Sequence, residues 1–309
     1  MVSFVFMRLL QAVPTLLLVI TLSFFLMRLA PGGPFDSEIQ APPEIEANLK
    51  AAYHLDKPLL TQYVLYLGNV VRGDLGPSFQ YRDRRVNDLI ATGFPVSLRL
   101  GVWAMALALL VGLPLGIWAA LRHNRATDHA VMAVALAGIA VPNFVVAPVL
   151  ALVFGVTLAW LPAGGWGDGH WRYLLLPVVA LALPQVASIA RLMRGSMIEA
   201  LASPHIRTAR AKGLTPAQVV VRHALRPALL PLVSYLGPAV VGIITGSVVI
   251  EQIFGLPGIG RYFVQAALSR DYTLVLGVVI FYGVLIVLFN LLVDLLYGWL
   301  NPQIRSRAP

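Results

Sequence analysis

The 309-residue sequence has no cysteine and only three lysines, Lys50, Lys57 and Lys212. The first absence excludes disulfides, Cys-based zinc sites and thiol catalysis, and leaves the compartment open. The second bears on nucleotides. No lysine closes a G-x-x-x-x-G-K-[ST] loop, so the chain does not bind ATP in that way. Neither G-x-S-x-G nor H-E-x-x-H occurs, which removes two common hydrolase signatures. The six histidines are scattered with no pair at i, i+4, and no metal site is expected. Two glycine-rich stretches, Gly164–Gly169 and Gly255–Gly260, do not open a helix after a strand. They read as turns and not as nucleotide loops.

Charge is scarce as well. Charged residues make up 12% of the chain and hydrophobic residues 58%, against about 25% charged in an average soluble domain. The mean hydropathy is +0.79. A soluble core of this size has no use for so much apolar surface, so the chain reads as an all-α integral membrane protein. The net charge of +9 fits basic loops on a cytoplasmic membrane face better than a nucleic-acid partner.

Charge-poor runs place six spans: Leu9–Met27, Leu100–Leu121, His129–Gly167, Tyr173–Ala190, Pro227–Ile250 and Tyr272–Val293. Each is long enough for one helix of about 20 residues. The third ends in a Trp/Gly/Pro-rich stretch, so its helix is expected to stop near Thr157. With both termini cytoplasmic, the inner loops hold most of the arginines, and the short outer loops hold only Arg172, Arg261 and Arg270. That asymmetry sets the orientation. The first span runs into Met27-Arg28-Leu29 where a cleavage site wants small residues, so it reads as a retained helix.

These runs divide the chain into an N-terminal helix (1–30), an extracytoplasmic subdomain (31–95), a five-helix core (96–300) and a cytoplasmic tail (301–309). The subdomain is polar and Pro/Gly-punctuated, with short helices expected over Pro43–Leu55 and Thr61–Val71. Prolines recur inside the spans, from Pro114 to Pro238, and each bends its helix. Ala104, Ala108, Gly112 and Gly116 recur at four-residue spacing, as do Gly242 and Gly246. Such faces serve close helix packing, or a path lined by bare backbone. Ionisable residues are nearly absent from the spans. Glu251 and Asp294 lie near span ends and are expected to reach the interface. A proton- or sodium-coupled carrier places carboxylates near mid-membrane, so the energy is expected to come from a partner.

One basic island breaks the pattern. SPHIRTARAKGLTPAQVVVRHALRP, Ser203–Pro227, carries five arginines and lysines, two histidines and no acid. Ser203 reads as an N-cap with Pro204 as first helical residue. Gly213 reads as a stop, and Thr215 with Gln218 as a capping box. Two short helices joined at Gly213-Leu214 are expected, with the coupling region spanning 203–226. They form either a loop held by lipid headgroups or a knob that docks into a cleft on another protein.

ARAKG followed by RHALRPALLP resembles the cytoplasmic motif of permease subunits of binding-protein-dependent ABC importers. In that motif Glu-Ala-Ala is followed by three residues, Gly, nine residues and Ile-x-Leu-Pro. Ala209, Gly213 and Leu225 match. Arg207 and His223 stand in place of the acid and the isoleucine, and Pro227 falls one residue late. This departure fits the peptide/nickel branch. FFLMRLAPGGPF (Phe24–Phe35), YHLDKPLLTQY (Tyr53–Tyr63), GDLGPSF (Gly73–Phe79), IARLMRGSMIEAL (Ile189–Leu201) and VIEQIFGLPGIG (Val249–Gly260) are similar to the oligopeptide permeases of that branch.

The resemblance implies a type I ABC importer permease fold in a bacterial inner membrane. It also implies a homologous second permease, two ABC ATPase subunits that hold ATP and Mg, an extracytoplasmic peptide-binding protein and a peptide substrate. No catalytic residue and no cofactor is expected in this chain. His205, Arg207, Ala209, Arg210, Lys212, Gly213 and Leu214 would dock on the ATPases. Gln185, Ser188, Ser234, Tyr235, Gly242 and Thr245 would line the pathway, and Glu251 would contact peptide or brace the outer gate. The other readings are a permease for dipeptides, nickel or other small peptides, a proton-coupled secondary carrier, and a membrane enzyme or scaffold.

Overall fold

The computed structural model describes residues 2–29, 55–81 and 83–300. The helix expected over Pro43–Leu55, all but its last residue, and the 301–309 tail lie outside the described residues. Among the described residues the fold is all helix, with one isolated antiparallel bridge between Pro77 and Arg85. In chain order the helices are α1 (Val2–Leu29), α2 (Leu59–Val71), α3 (Val86–Leu121), α4 (Ala126–Ala140), α5 (Asn143–Thr157), α6 (Trp171–Ala202), α7 (Pro204–Ala211), α8 (Pro216–Phe254), α9 (Ile259–Leu268) and α10 (Tyr272–Leu300). Five of them are long and apolar enough to cross a membrane, and the bent pair α4 and α5 makes a sixth when counted as one broken span.

The spans agree with the charge-poor runs in place but not in length. The helix starting at Val86 passes straight through position 95, where the sequence reading ended the extracytoplasmic segment. Asp88 accepts from the Arg85 N–H at 3.3 Å and caps its first turn. α6 continues twelve residues past Ala190. The third run is not one helix. α4 and α5 meet at 98°, because Val141 before Pro142 is extended (φ −86°, ψ 116°), as proline demands of the residue before it. The second half of GLPGIG is not a turn either, since Ile259 opens α9.

α3 packs along α6. Ala104, Ala108, Gly112 and Gly116 are all buried on one face of α3. A side chain at Gly116 would press on the Ala190 carbonyl oxygen at 2.5 Å and on Met193 at 2.7 Å. This face therefore serves close packing, not a path. α8 lies against α6, and α10 against α8 and α1. At the end carrying α9, buried Asp271 gathers a tight polar knot. Its carboxylate accepts from the Ser78 hydroxyl, from the Phe79 and Gln80 N–H groups at 3.0 and 3.1 Å, and from the Leu274 N–H at 3.1 Å. The knot ties the loop before α3 to the start of α10. Beside it the Tyr81 hydroxyl donates to Gln265 at 2.6 Å, and burial raises the Tyr81 phenol above its usual pKa.

Candidate functional site

α7 is an eight-residue helix with two faces. Ile206 and Ala209, three residues apart, point into a hub built from Met193, Met197, Ala200, Val219, Ala224 and Ala228. Ile206 is 0% exposed, and burial of such a side chain stabilises by about 1.5–3 kcal/mol. A helix this short is marginal alone, and the hub fixes it to α6 and α8. His205, Arg207, Thr208, Arg210, Ala211, Lys212 and Gly213 remain exposed, and Leu214 is half-buried. The expected docking set is thus corrected at one position. Ala209 faces its own chain, and the exposed small residue is Ala211.

The turns around α7 are specific. Gly213 has φ +79°, a left-handed stop that glycine takes at no steric cost. Its N–H donates to the Arg210 carbonyl at 3.0 Å. Ser203 occupies the N-cap position but does not cap. Its hydroxyl donates back to the Ala200 carbonyl at 2.6 Å, because Ser203 also terminates α6. Thr215 and Gln218 do form the capping box, at 3.4 and 3.0 Å. The helix they start is not a second short one, since it runs on as α8 to Phe254. Between α6 and α7 stands only Ser203, and between α7 and α8 only the 212–215 turn.

The six expected pathway residues fall into three groups. The Tyr235 hydroxyl donates to Gln185 at 3.0 Å, and Gly242 leaves room for the Gln185 amide. These three lock α6 to α8. Ser188 donates to the Pro184 carbonyl at 2.9 Å. Ser234 and Thr245 lie elsewhere, on an exposed face of α8 with Pro231, Pro238 and Val249. Their hydroxyls return to the backbone one turn earlier, at Leu230 and Val241.

Glu251 does not reach the interface. It is 0% exposed, and its Oε2 accepts from the Gly260 N–H at 2.7 Å. The Ser97 hydroxyl of α3 accepts from the Ile259 N–H at 3.0 Å. A carboxylate and a hydroxyl thus take the free donors at the start of α9, and a side chain on Gly258 or Gly260 would collide with Glu251. Asp294 is held by Arg8 at 3.1 Å. Sequence reasoning missed another ion pair. Arg194 of α6 binds Asp128 of α4 through two bonds, 2.5 and 2.7 Å long, and the Asn124 N–H adds a third at 2.9 Å. Both charges sit just outside the charge-free runs, and nothing in the sequence singles out Arg194 over its neighbour Arg191 as the partner of Asp128.

Two family models cover nearly the whole chain. Residues 112–306 match the binding-protein-dependent transport system inner membrane component, and residues 1–101 match its N-terminal companion. The chain belongs to this permease family. It is 57% identical over 305 residues to the oligopeptide transport system permease protein OppB of Haemophilus influenzae, covering 99% of this chain and all of that one. Identity to OppB of Salmonella typhimurium is 56% with the same coverage. Against the dipeptide permease DppB of Bacillus subtilis it is 46%, over 94% of each chain. The fold is similar to a chain in an inward-facing crystal structure of the MetNI methionine ABC transporter, with a TM-score of 0.60 at 20% identity, covering 69% of this chain and 96% of that one. As a permease of this family the chain is an integral membrane protein with no catalytic site of its own. No cluster of metal ligands occurs among its described residues.

Proposed function

We propose that this chain is one of two permease subunits of an ATP-driven importer of oligopeptides in a bacterial inner membrane. The observation that carries the reading is α7, a basic helix pinned by Ile206 and Ala209 with its charged face left free. That face suits an acidic cleft on an ATPase subunit that binds the ATP and Mg. Identity of 56–57% to OppB proteins over 99% of the chain supports peptide cargo. An extracytoplasmic binding protein delivers the peptide, and a homologous second permease closes the pathway against the exposed face of α8 that bears Ser234 and Thr245. Both termini lie in the cytoplasm, where the basic loops are.

The mechanism follows from continuity. α6, α7 and α8 are joined by short turns and share one buried hub. A displacement of α7 by closing ATPases is therefore passed to two spans at once. Inward and outward access become two states whose balance nucleotide shifts.

The test is a mild-detergent purification of the tagged chain from its native membrane, followed by identification of what accompanies it. A second permease and ATPase subunits are expected, and Arg207→Glu with Arg210→Glu is expected to lose the ATPases while keeping the permease. A chain that purifies alone and still moves peptide down a proton gradient in vesicles would overturn the reading in favour of a secondary carrier.

A further inference from the structure

Two arginines bracket the apolar part of α3. Arg99 lies over the Trp166 ring at 5.6 Å, and Arg122 over the Trp118 ring at 5.5 Å. The run between them, Leu100–Leu121, holds no charge. At about 1.5 Å per residue it is about 33 Å long, against about 30 Å for the hydrocarbon core of a bilayer. Tryptophans gather at the Arg99 end, with Trp103, Trp160 and Trp171 all exposed, as they do where spans meet the headgroup layer. Arg99 thus stands at the depth of lipid phosphates.

This arginine is held in place but not paired. Trp166 covers its guanidinium. Gly169, at φ +78°, lets the guanidinium come so close that a side chain there would collide with it. Arg99 is nevertheless exposed, and it has no hydrogen bond or ion pair with any described residue. Arg28 has Gln62 and Arg194 has Asp128. Asp168, beside Gly169 in the chain, does not pair with Arg99. Arg172 opens α6 next to Trp171 and adds a second positive charge, its guanidinium donating to the Trp160 carbonyl at 2.8 Å. From Arg99 an apolar groove of about 580 Å³ runs between α3 and α6, walled by Trp103, Leu107, Leu110, Trp171 and Leu175 among others. Its lining holds one cation and no acid, and no residue of α7 or α8 takes part.

We infer that this groove binds an anionic phospholipid. The phosphodiester accepts from the exposed Arg99 guanidinium, and one acyl chain runs along the groove between α3 and α6. A fixed, planar guanidinium suits a phosphate. With a lone cation and no acid in its lining, the groove favours a lipid of net negative charge over a zwitterionic one.

The experiment is photolabelling of the full-length chain, with the partners that accompany it, in phosphatidylethanolamine vesicles containing phosphatidylglycerol with a diazirine on its acyl chain. Labelled peptides are mapped by mass spectrometry. Labels are expected on 103–110 and 171–178, and unlabelled phosphatidylglycerol is expected to compete roughly tenfold better than phosphatidylethanolamine, the scale of one charge-assisted hydrogen bond. Arg99→Gln is expected to lower labelling of the groove about tenfold and to leave unchanged the labelling of the exposed stripe of α1, Leu18, Leu22 and Leu26. Arg99→Lys keeps the charge and is expected to keep most of the labelling. Where Arg99→Gln fails to fold, the competition on the native protein decides. Equal competition by the two lipids, or unchanged groove labelling in Arg99→Gln, would reduce the groove to ordinary lipid contact and overturn the site. Displacement of the label by inorganic phosphate would overturn it in favour of a free-anion site. An unlabelled groove beside a labelled α1 would mean that a protein partner covers it, and would overturn it as well.

Discussion

Asp128 is 0% exposed and Arg194 is one-quarter exposed. The bidentate pair between them joins α4, the first half of the broken span, to the stem that carries the basic helix. Charge-assisted bonds of this geometry are strong, but their net worth over an apolar contact is small. What is costly is to break one side. Arg194→Gln strands a fully buried carboxylate and is expected to destabilise by about 3 kcal/mol, read as a fall in the midpoint of thermal unfolding in detergent. Asp128→Asn leaves a cation that reaches water and is expected to cost less. The double variant is expected to recover part of the Arg194→Gln loss. Simple additivity of the two would deny the coupling.

At the scale of the element, α7 shows what was legible and what was not. The proline start, the Gly213 stop and the Thr215–Gln218 box all have local causes, and all appear in the structure. The direction of Ala209 was not legible, because an eight-residue helix acquires an inner face only when Met193, Met197 and Val219 arrive from elsewhere in the chain. The span lengths failed for a related reason. Asp88 and Arg99 interrupt the apolar run of α3, yet a helix continues through charge wherever its neighbours and its cap support it. Among the prolines within spans, only Pro142 breaks a helix, and nothing local singles it out. These facts bear on how to probe the docking face. At Gly213 nothing lies within 4 Å of an added side chain, so the penalty there is backbone strain alone. Gly213→Ala is expected to cost about 1 kcal/mol and still retain its ATPase partners. Ala211→Trp adds bulk on the exposed face with no strain. It is expected to leave thermal stability unchanged and to reduce ATPase co-purification severely. Equal loss from both variants would mean that the turn, and not the exposed face, governs docking.

At the scale of the molecule, two clamps divide the work. The hub under α7 binds the ends of α6 and α8 on one membrane face. On the other face Glu251 and Ser97 hold the start of α9 against α8 and α3. Long helices run between the clamps, so a push at one end is delivered to the other. Glu251 was legible only as a lone acid beside a glycine-rich stretch, and its role depends on a contact nine residues along the chain that brings Gly258 and Gly260 against the carboxylate. A brace and a proton carrier make opposite demands on this side chain. A brace needs an acceptor for the Gly260 N–H, which a glutamine supplies. A proton carrier needs a group that titrates, which a glutamine does not. Glu251→Gln is therefore expected to retain most peptide uptake and thermal stability. Glu251→Ala is expected to lose both, since it leaves the Gly260 N–H buried without an acceptor, at about 1–3 kcal/mol. A stable Glu251→Gln protein with no uptake would place Glu251 on a proton path and remove the brace, and with it the need for ATP-driven partners to supply the energy.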